Sequence, residues 1–399
     1  MMKKKFFSFF QSVFIFILVT LISCKVGPSQ PKNGVESPFT IAGKLLADGA
    51  DNTKAPDGTL MGNLRPIIDD ARIYLGDSAV LPAEYLTVII DSIALELSSK
   101  LFMVTDPIQI VASLRKTVFQ EGGICCDRGN NDVKNILPHM ALRSKHGSAL
   151  GISLLMLAIG QKMDLPLHGV IAQDHFFIRY DNGREKINID PAQKGRHLAD
   201  SWYKARYAVA DASYLTLKNL EPVEVVAYVK YTIASIYRNH GLFAKAALYY
   251  ESALREMPGF ADVYNCLGLT YDTLGQVDKS LAYFLKAKAL RGAGKNLSIH
   301  IGKLFIKRNN FEQAIVEYRT SLRDAPNSPE LLYGLGLAYY HLNDYENAYK
   351  QLVAAINATG SKPEASEASE AYQLLALVCE KIGENKKAAQ YRALAVSRQ

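Results

Sequence analysis

The sequence predicts an α+β domain followed by an all-α solenoid, and two observations support this fold class. First, four marks recur every 34 residues between 227 and 362: a small residue, a large apolar residue, a second small residue, and then Pro or Gly. Second, residues 60–190 combine amphipathic helical stretches with short apolar runs that are bounded by turn residues. Because the two patterns do not overlap, they predict two domains of ordinary size.

The 34-residue unit is predicted to be a pair of helices that approach each other at small residues. The marks of the first two units are Ala246, Tyr250, Ala253 and Pro258, then Ser280, Phe284, Ala287 and Gly292. The pattern resembles tetratricopeptide repeats, whose arrays present an extended surface to another protein or peptide. The predicted units are 227–260, 261–294, 295–328 and 329–362, with a fifth from 369 to the end, so that the repeats occupy 227–399.

One face of these repeats is a candidate binding surface. In the first helix of each unit, positions 2, 5, 9, 12 and 13 lie on one side by helical spacing. In tetratricopeptide arrays that side lines a concave groove, and its mixture of aromatic and charged groups suits an extended peptide or a partner helix. A solvated inner face, with partners on the convex side, is the alternative. The predicted groove residues are Tyr228, Tyr231, Arg238, Asn265, Asp272, Lys303, Lys307, Tyr333, Tyr340 and His341.

The start of the chain predicts export and attachment to a membrane. Three lysines at 3–5 precede an apolar run at 6–22, which is typical of a signal peptide over residues 1–23. The following Leu-Ile-Ser-Cys resembles a bacterial lipobox, which implies cleavage before Cys24 and lipid attachment to its thiol. The apolar run is short for a spanning helix, and this favours the lipoprotein over an uncleaved anchor. Residues 24–57 are predicted to be a flexible tether, and the protein to face the periplasm or the surface of the bacterial cell envelope.

Composition excludes several other classes of function. The net charge of +7 falls to +4 once the three lysines of the signal peptide are removed, and no basic patch with interleaved aromatics occurs, so no nucleic-acid partner is predicted. Of the remaining four cysteines, Cys266 and Cys379 lie in repeat helices, whereas Cys125 and Cys126 are adjacent. There is no Cys-x-x-Cys pair, and neither a metal nor a cofactor is predicted.

The domain before the repeats is predicted to be mixed. Three amphipathic helices are expected over 60–121, a further helix over 131–145, and a buried helix from 147 to about 164. Strands are predicted at 168–172, 175–180 and 186–190.

The last two strands are predicted to form a hairpin. Asn182-Gly183 tolerates both positive φ angles of a two-residue type I′ loop. With that loop His175 falls directly opposite Asp190, and cross-strand Cβ atoms lie about 4.5–5.5 Å apart. A histidine oriented by an aspartate, beside the start of a buried helix, supplies two members of a nucleophile–base–orienter set. A surface ion pair between the two strands is the alternative.

The same residues resemble a known family. Gly147 to Pro166, His175, and Asp190-Pro191 follow the transglutaminase-like pattern of the papain-type superfamily, in which Gly-x-Cys opens the helix. The closer likeness is to the SirB-type transglutaminase-like domain, which occurs with tetratricopeptide repeats. It covers about residues 60–215, and the domain is placed at 58–226.

The nucleophile of that pattern is missing. Counting from Gly147 places it at Ala149, whose methyl group cannot attack a substrate. The expected triad is therefore a degenerate one of Ala149, His175 and Asp190, a loss that resembles the SirB-type branch. Ser148 and Ser153 are weak substitutes, and nothing in the spacing places Cys125 or Cys126 at the site.

The predicted function is that of a membrane-anchored adaptor or scaffold lipoprotein that binds proteins or peptides through its repeats. Its transglutaminase-like domain is expected to be non-catalytic. One alternative is a hydrolase or acyl-transfer enzyme that uses His175 and Asp190 with a non-standard nucleophile. Another is a structural component of the cell envelope, in which the first domain covers the outer face of the first repeat.

Overall fold

The structure is a computed structural model that describes residues 59–75, 83–127, 132–173, 175–207, 217–291, 295–359 and 365–396. The predicted signal peptide, Cys24, the tether, and the repeat marks Gly292 and Gly360 lie outside these residues. No helix in the described part of the chain is long and apolar enough to cross a membrane.

The first domain begins with three helices, as predicted: α1 (Leu60–Leu75), α2 (Ala83–Lys100) and α3 (Pro107–Arg115). A π-helical turn, Lys116–Glu121, continues α3. The start of α3 follows from its sequence, because the Asp106 side chain accepts a hydrogen bond from the N–H of Ile108 and Pro107 occupies the first helical position.

The single helix predicted over 131–145 is wrong. The structure has two short helices there, α4 (Val133–Ile136) and α5 (Pro138–Ser144). Leu137 between them is extended, with φ −85° and ψ 142°, because the ring of a following proline disfavours the helical conformation. Two strands that the sequence did not predict, β1 (Cys125–Cys126) and β2 (His146–Gly147), pair in parallel around this segment.

Helix α6 (Ala149–Lys162) is the centre of the domain. Every residue from Leu150 to Gly160 is buried, so this helix is apolar on all sides. It packs against α2, α5 and the main sheet. That sheet contains β3 (Leu167–Ala172), β4 (His175–Asp181), β5 (Lys186–Ile189) and β6 (Asn219–Leu220) in the order β5-β4-β3-β6, with all neighbours antiparallel.

The second half of the described chain is a series of helical pairs. Short turns join the members of each pair, and each pair packs on the next. The ten helices are α8 (Pro222–Asn239), α9 (Phe243–Glu256), α10 (Ala261–Thr273), α11 (Val277–Arg291), α12 (Lys295–Lys307), α13 (Phe311–Leu322), α14 (Pro329–His341), α15 (Tyr345–Ala358), α16 (Ala365–Lys381) and α17 (Asn385–Val396). The α7 helix (Asp200–Arg206) precedes them, between β5 and β6.

The repeated glycines explain the 34-residue period. Gly268, Gly302 and Gly336 occupy the same position in successive units, and each faces the large apolar mark of its own unit: Phe284, Tyr318 and Leu352. A Cβ at Gly302 would lie 2.3 Å from the Tyr318 ring. At these three positions a side chain would clash, so the spacing records where two helices touch.

The first domain and the first repeats share one apolar core, which extends from Leu60 to Tyr271. The Phe176 ring of β4 lies 5.2 Å from the Tyr228 ring of α8. A Cβ at Gly169 in β3 would lie 2.8 Å from the Val225 side chain. Helix α8 therefore packs on the sheet and opens the repeats, and it spans the predicted boundary between residues 226 and 227.

Candidate functional site

The structure brings His175 and Asp190 together. The imidazole Nε2 of His175 lies 3.0 Å from Oδ2 of Asp190. The His175 side chain is 12% exposed and that of Asp190 is 1% exposed. The pair is therefore enclosed, which disfavours the alternative of a solvated ion pair between two surface strands.

The predicted hairpin register is wrong by two residues. The observed pairs are Ile178 with Ile189 and Asp181 with Lys186, and Asn182 N–H donates to the Glu185 carbonyl. The loop is thus Gly183-Arg184. Gly183 has a φ of +83°, and Asn182 is not among the described residues with positive φ. Positive φ at the first loop residue alone is the requirement of a type II′ turn rather than type I′.

A shift of two residues keeps every side chain on the same face of the sheet. In the observed register the partner of His175 lies two positions past Asp190, so the two side chains are diagonal neighbours. Diagonal pairs are about 7–8 Å apart at the backbone, which long side chains can bridge. The His175–Asp190 contact consequently forms in spite of the different loop.

Two tyrosines that the sequence did not predict complete the surroundings of this pair. The Tyr203 hydroxyl donates to Oδ2 of Asp190 at 3.2 Å, and the Tyr207 ring stacks on His175 with centroids 5.0 Å apart. Burial, followed by the charge of Asp190, raises the pKa of both tyrosines, so both hydroxyls stay neutral. The second oxygen of Asp190 accepts from the Ala192 N–H at 2.9 Å.

The Asp190 contact favours one tautomer of the imidazole. A carboxylate at Nε2 holds the proton on that nitrogen and leaves the lone pair on Nδ1. Among the described residues, none hydrogen-bonds Nδ1 of His175. The arrangement could therefore accept a proton, or a hydrogen bond, at Nδ1.

The nucleophile position holds no reactive group. Ala149 is the first residue of α6 and is partly buried. The Ser148 hydroxyl caps the helix by accepting the N–H of Gly151 at 3.0 Å. Ser153 is 0% exposed, and its hydroxyl has no hydrogen-bond partner in the described part of the chain. Ser148 therefore acts as a helix cap, and Ser153 is closed to solvent.

The adjacent cysteines lie on the short parallel sheet. Cys125 pairs with His146, and Cys126 pairs with Gly147, two residues before Ala149. Nδ1 of His146 lies 2.9 Å from a carboxylate oxygen of Asp127, and the imidazole is 57% exposed. The described cysteines form no disulfide. Two-residue strands have no periodicity, so the sequence contained no sign of this arrangement.

A buried arginine supports the site from the same face of the sheet, four residues along β4 from His175. Arg179 in β4 is 2% exposed, and its guanidinium donates to Oδ1 of Asp200 at 2.6 Å and to Oδ1 of Asn188 at 2.7 Å. Asp200 opens α7, the helix that carries Tyr203. This arginine therefore connects the sheet to the helix that holds the Asp190 contact.

The predicted groove residues fall into three groups. Tyr228 is 6% exposed, and Tyr231 lies against Phe260 with ring centroids 4.9 Å apart, so both belong to the core at the junction with the sheet and are not exposed anchors. Asp272 and Lys307 pair with each other across two units at 2.6 Å. The remaining residues are exposed or partly buried: Arg238, Asn265, Lys303, Tyr333, Tyr340 and His341.

Comparison with known proteins identifies both parts of the chain. Residues 85–228 match the model of the transglutaminase-like superfamily. Residues 231–294, 302–343 and 329–361 match models of tetratricopeptide repeats. No protein with a curated description matches the chain.

Several solved structures are similar to part of the chain. MamA from Desulfovibrio magneticus RS-1, residue 41 to the end, is 19% identical with a TM-score of 0.40; the match covers 43% of this chain and 94% of that one. YrrB, described as a TPR protein with an unusual peptide-binding site, is 17% identical with a TM-score of 0.38, covering 43% and 86%. BtubC (BKLC) from P. vanneervenii is 20% identical with a TM-score of 0.39, covering 44% and 81%.

Proposed function

Because a transglutaminase-like domain is followed by tetratricopeptide repeats in this chain, we propose that the protein is a membrane-anchored adaptor. The repeats bind a partner protein or peptide in their groove. The transglutaminase-like domain does not catalyse a reaction, and lipid on Cys24 attaches the chain to a membrane of the bacterial cell envelope. This proposal extends the protein-binding role that the repeats support.

The observation that supports the non-catalytic part is the first turn of α6. Ala149 stands where the family pattern has its nucleophile, although the His175–Asp190 pair is intact. Ser148 is engaged by the Gly151 N–H, and Ser153 is closed to solvent. A base without a nucleophile can position a ligand but cannot form an acyl intermediate.

The groove residues that remain accessible have the chemistry of a peptide site. Lys303 is exposed on α12 and His341 on α14, and Tyr333 and Tyr340 are partly buried on α14. Tyrosine side chains that are half covered lose little entropy on binding, and they are frequent among the residues that dominate interfaces. Lys303 adds a positive charge that favours a partner with acidic groups.

Substituting two residues of the groove should strongly weaken partner binding. In a pull-down from detergent-solubilised cells, the double variant Lys303→Glu and Tyr340→Ala should recover its partners about 30-fold less than the parent, the effect expected when a hot spot of about 2 kcal/mol is lost.

The matched control carries Lys350→Glu and Leu248→Ala. Both residues are exposed on second helices of the repeats, and they should tolerate the same change in charge and size. Partners that survive the groove variant but are lost with the control would place the binding surface on the convex side and overturn the groove.

The geometry of His175 also supports a second candidate, a hydrolase or acyl-transfer enzyme with a non-standard nucleophile. Its support is the 3.0 Å contact with Asp190, which prepares Nδ1 to accept a proton. On the adaptor proposal, thiol- and serine-directed probes should label the parent and a His175→Ala variant at equal rates. Labelling that falls at least tenfold in the variant would establish the enzyme instead.

A further inference from the structure

The turn between α2 and α3 presents large apolar side chains to solvent. Residues 101–104 form a tight turn, closed by a hydrogen bond from the Val104 N–H to the Leu101 carbonyl at 2.9 Å. Its two central side chains are highly exposed, Phe102 by 79% and Met103 by 84%. Ile108, in the first turn of α3, is 66% exposed. We call Phe102, Met103 and Ile108 the apolar tip.

The third residue of this turn is of a type that this backbone conformation disfavours. Met103 has a φ of +68°, the conformation that the third residue of a type II turn requires and that glycine or asparagine usually supplies. A bulky residue with positive φ costs on the order of 1 kcal/mol or more. Met103 is therefore strained at a turn position where glycine or asparagine would have a lower conformational free energy.

The same turn separates inward from outward side chains. Leu101 and Val104 are partly buried and pack against the domain core. Phe102 and Met103 point away from it. The conformation of the turn therefore exposes the tip, although the flanking residues of the same turn reach the core.

The charges at the base of the tip are nearly balanced, with two lysines facing two glutamates and the Asp106 carboxylate capping α3. Lys100 lies 2.7 Å from Glu96 and 3.1 Å from Glu121, and Lys116 lies 3.6 Å from Glu121. Lys116 is 64% exposed. Both glutamates are therefore matched by lysines, and the amino group of Lys116 is accessible to phosphate groups.

We propose that the apolar tip inserts into the interfacial region of a lipid bilayer. Aromatic and aliphatic side chains beside lysines are the composition that this region prefers. The proposal rests on the membrane attachment in the proposed function. Thirty-five residues separate Cys24 from Leu60, enough to span about 100 Å when extended, so the tip can reach the surface that holds the anchor.

Attachment at Cys24 also explains why three side chains are sufficient. A single weak interfacial contact does not hold a soluble domain on a membrane. A contact on a chain that is already attached becomes intramolecular, and its effective concentration rises to the millimolar range. The second contact then restricts which side of the domain faces the bilayer.

Fluorescence can test the position of the tip, because Trp202 is the one tryptophan of the chain. The full chain carrying Trp202→Phe and Phe102→Trp is reconstituted into phosphatidylethanolamine–phosphatidylglycerol vesicles with brominated acyl chains. We expect flotation with the vesicles, a blue-shifted emission, and quenching of roughly half of the signal or more. Met103→Trp in the Trp202→Phe background should show the same blue shift and quenching, which would exclude an effect peculiar to the substitution at 102.

The control is Leu248→Trp in the Trp202→Phe background. Leu248 is 66% exposed on α9, as exposed as Ile108, and should give solvent-like, unquenched emission. If the chain floats but the tryptophans at 102 and 103 stay unquenched, the proposed insertion of the tip is wrong, whereas the proposed membrane attachment stands. A chain that does not float overturns both the tip and the membrane attachment.

Discussion

Replacing Arg179 with leucine should lower the free energy of unfolding by about 2–3 kcal/mol, the cost of leaving the hydrogen-bond partners of a buried guanidinium unsatisfied. The guanidinium is buried and reaches four groups: Oδ1 of Asn188, Oδ1 of Asp200, the Leu217 carbonyl and Oδ1 of Asn219. Leucine satisfies none of them. The Asp200 carboxylate is 45% exposed, so water replaces part of its contact, and the loss comes mainly from the unpaired amide and carbonyl oxygens.

Urea unfolding followed by Trp202 fluorescence measures this effect, because Trp202 lies on α7 two residues from Asp200. Arg184→Leu is the matched control, since Arg184 is exposed in the hairpin loop and its substitution should change stability by less than about 0.5 kcal/mol. Equal midpoints for the two variants would show that the Arg179 network does not stabilise the domain.

The solenoid could be predicted from the sequence because its period records direct contacts. Gly302 faces Tyr318 within one unit, and the same contact recurs at Gly268 and Gly336. A contact that repeats at fixed spacing is visible without a structure. The prediction of one helix over 131–145 was wrong for the opposite reason. Pro138 affects only the residue before it, and this single effect outweighed the apolar pattern of the segment.

The site was predictable only as far as its residues lie on adjacent strands. His175 and Asp190 are near in sequence, and their meeting survives an error of two in register because the error preserves the face. Tyr203 lies on α7 and Tyr207 directly follows it, and the Arg179–Asp200 contact joins that helix to the sheet. The sequence contains no local pattern that predicts these two tyrosines, because tertiary packing alone brings them to the site.

The groove prediction failed in the first unit for a related reason. Helical spacing correctly gives the side chains that share a face, but it does not say what covers that face. In α8, Tyr228 lies against Phe176 of the sheet, whereas Tyr340 in α14 stays partly exposed. Burial of Tyr228 therefore reflects the neighbouring domain, and the groove over the other units stays a prediction.

Acid should destabilise the first domain through His139, a buried histidine in α5. His139 is 0% exposed, and neither ring nitrogen has a hydrogen-bond partner among the residues that the structure describes. Burial, followed by the charge of Arg143, lowers its pKa to about 4 from the usual 6.5. Folding thus requires the neutral ring, because a charged imidazole would be left without compensation in an apolar core.

The sign of the pH dependence follows from proton binding. Between pH 6.5 and 4 the unfolded chain binds a proton at His139 that the folded chain excludes, so stability is lost as the pH falls. A gap of about 2.5 between the two pKa values corresponds to about 3 kcal/mol, fully lost below pH 4. The free energy of unfolding at several pH values measures this slope.

His139→Leu removes both the titration and two unpartnered nitrogens while keeping the site apolar. The variant should be more stable than the parent by about 1–3 kcal/mol at pH 7, and its stability should change less between pH 6.5 and 4. His240→Leu, which replaces an exposed histidine, should leave the parental slope in place. A leucine variant that keeps the full acid loss would mean that another group is responsible and that His139 is protonated without cost. The expected outcome makes this neutral, unpaired imidazole the acid-sensitive point of the domain, separate from the hydrogen-bonded His175 of the candidate site.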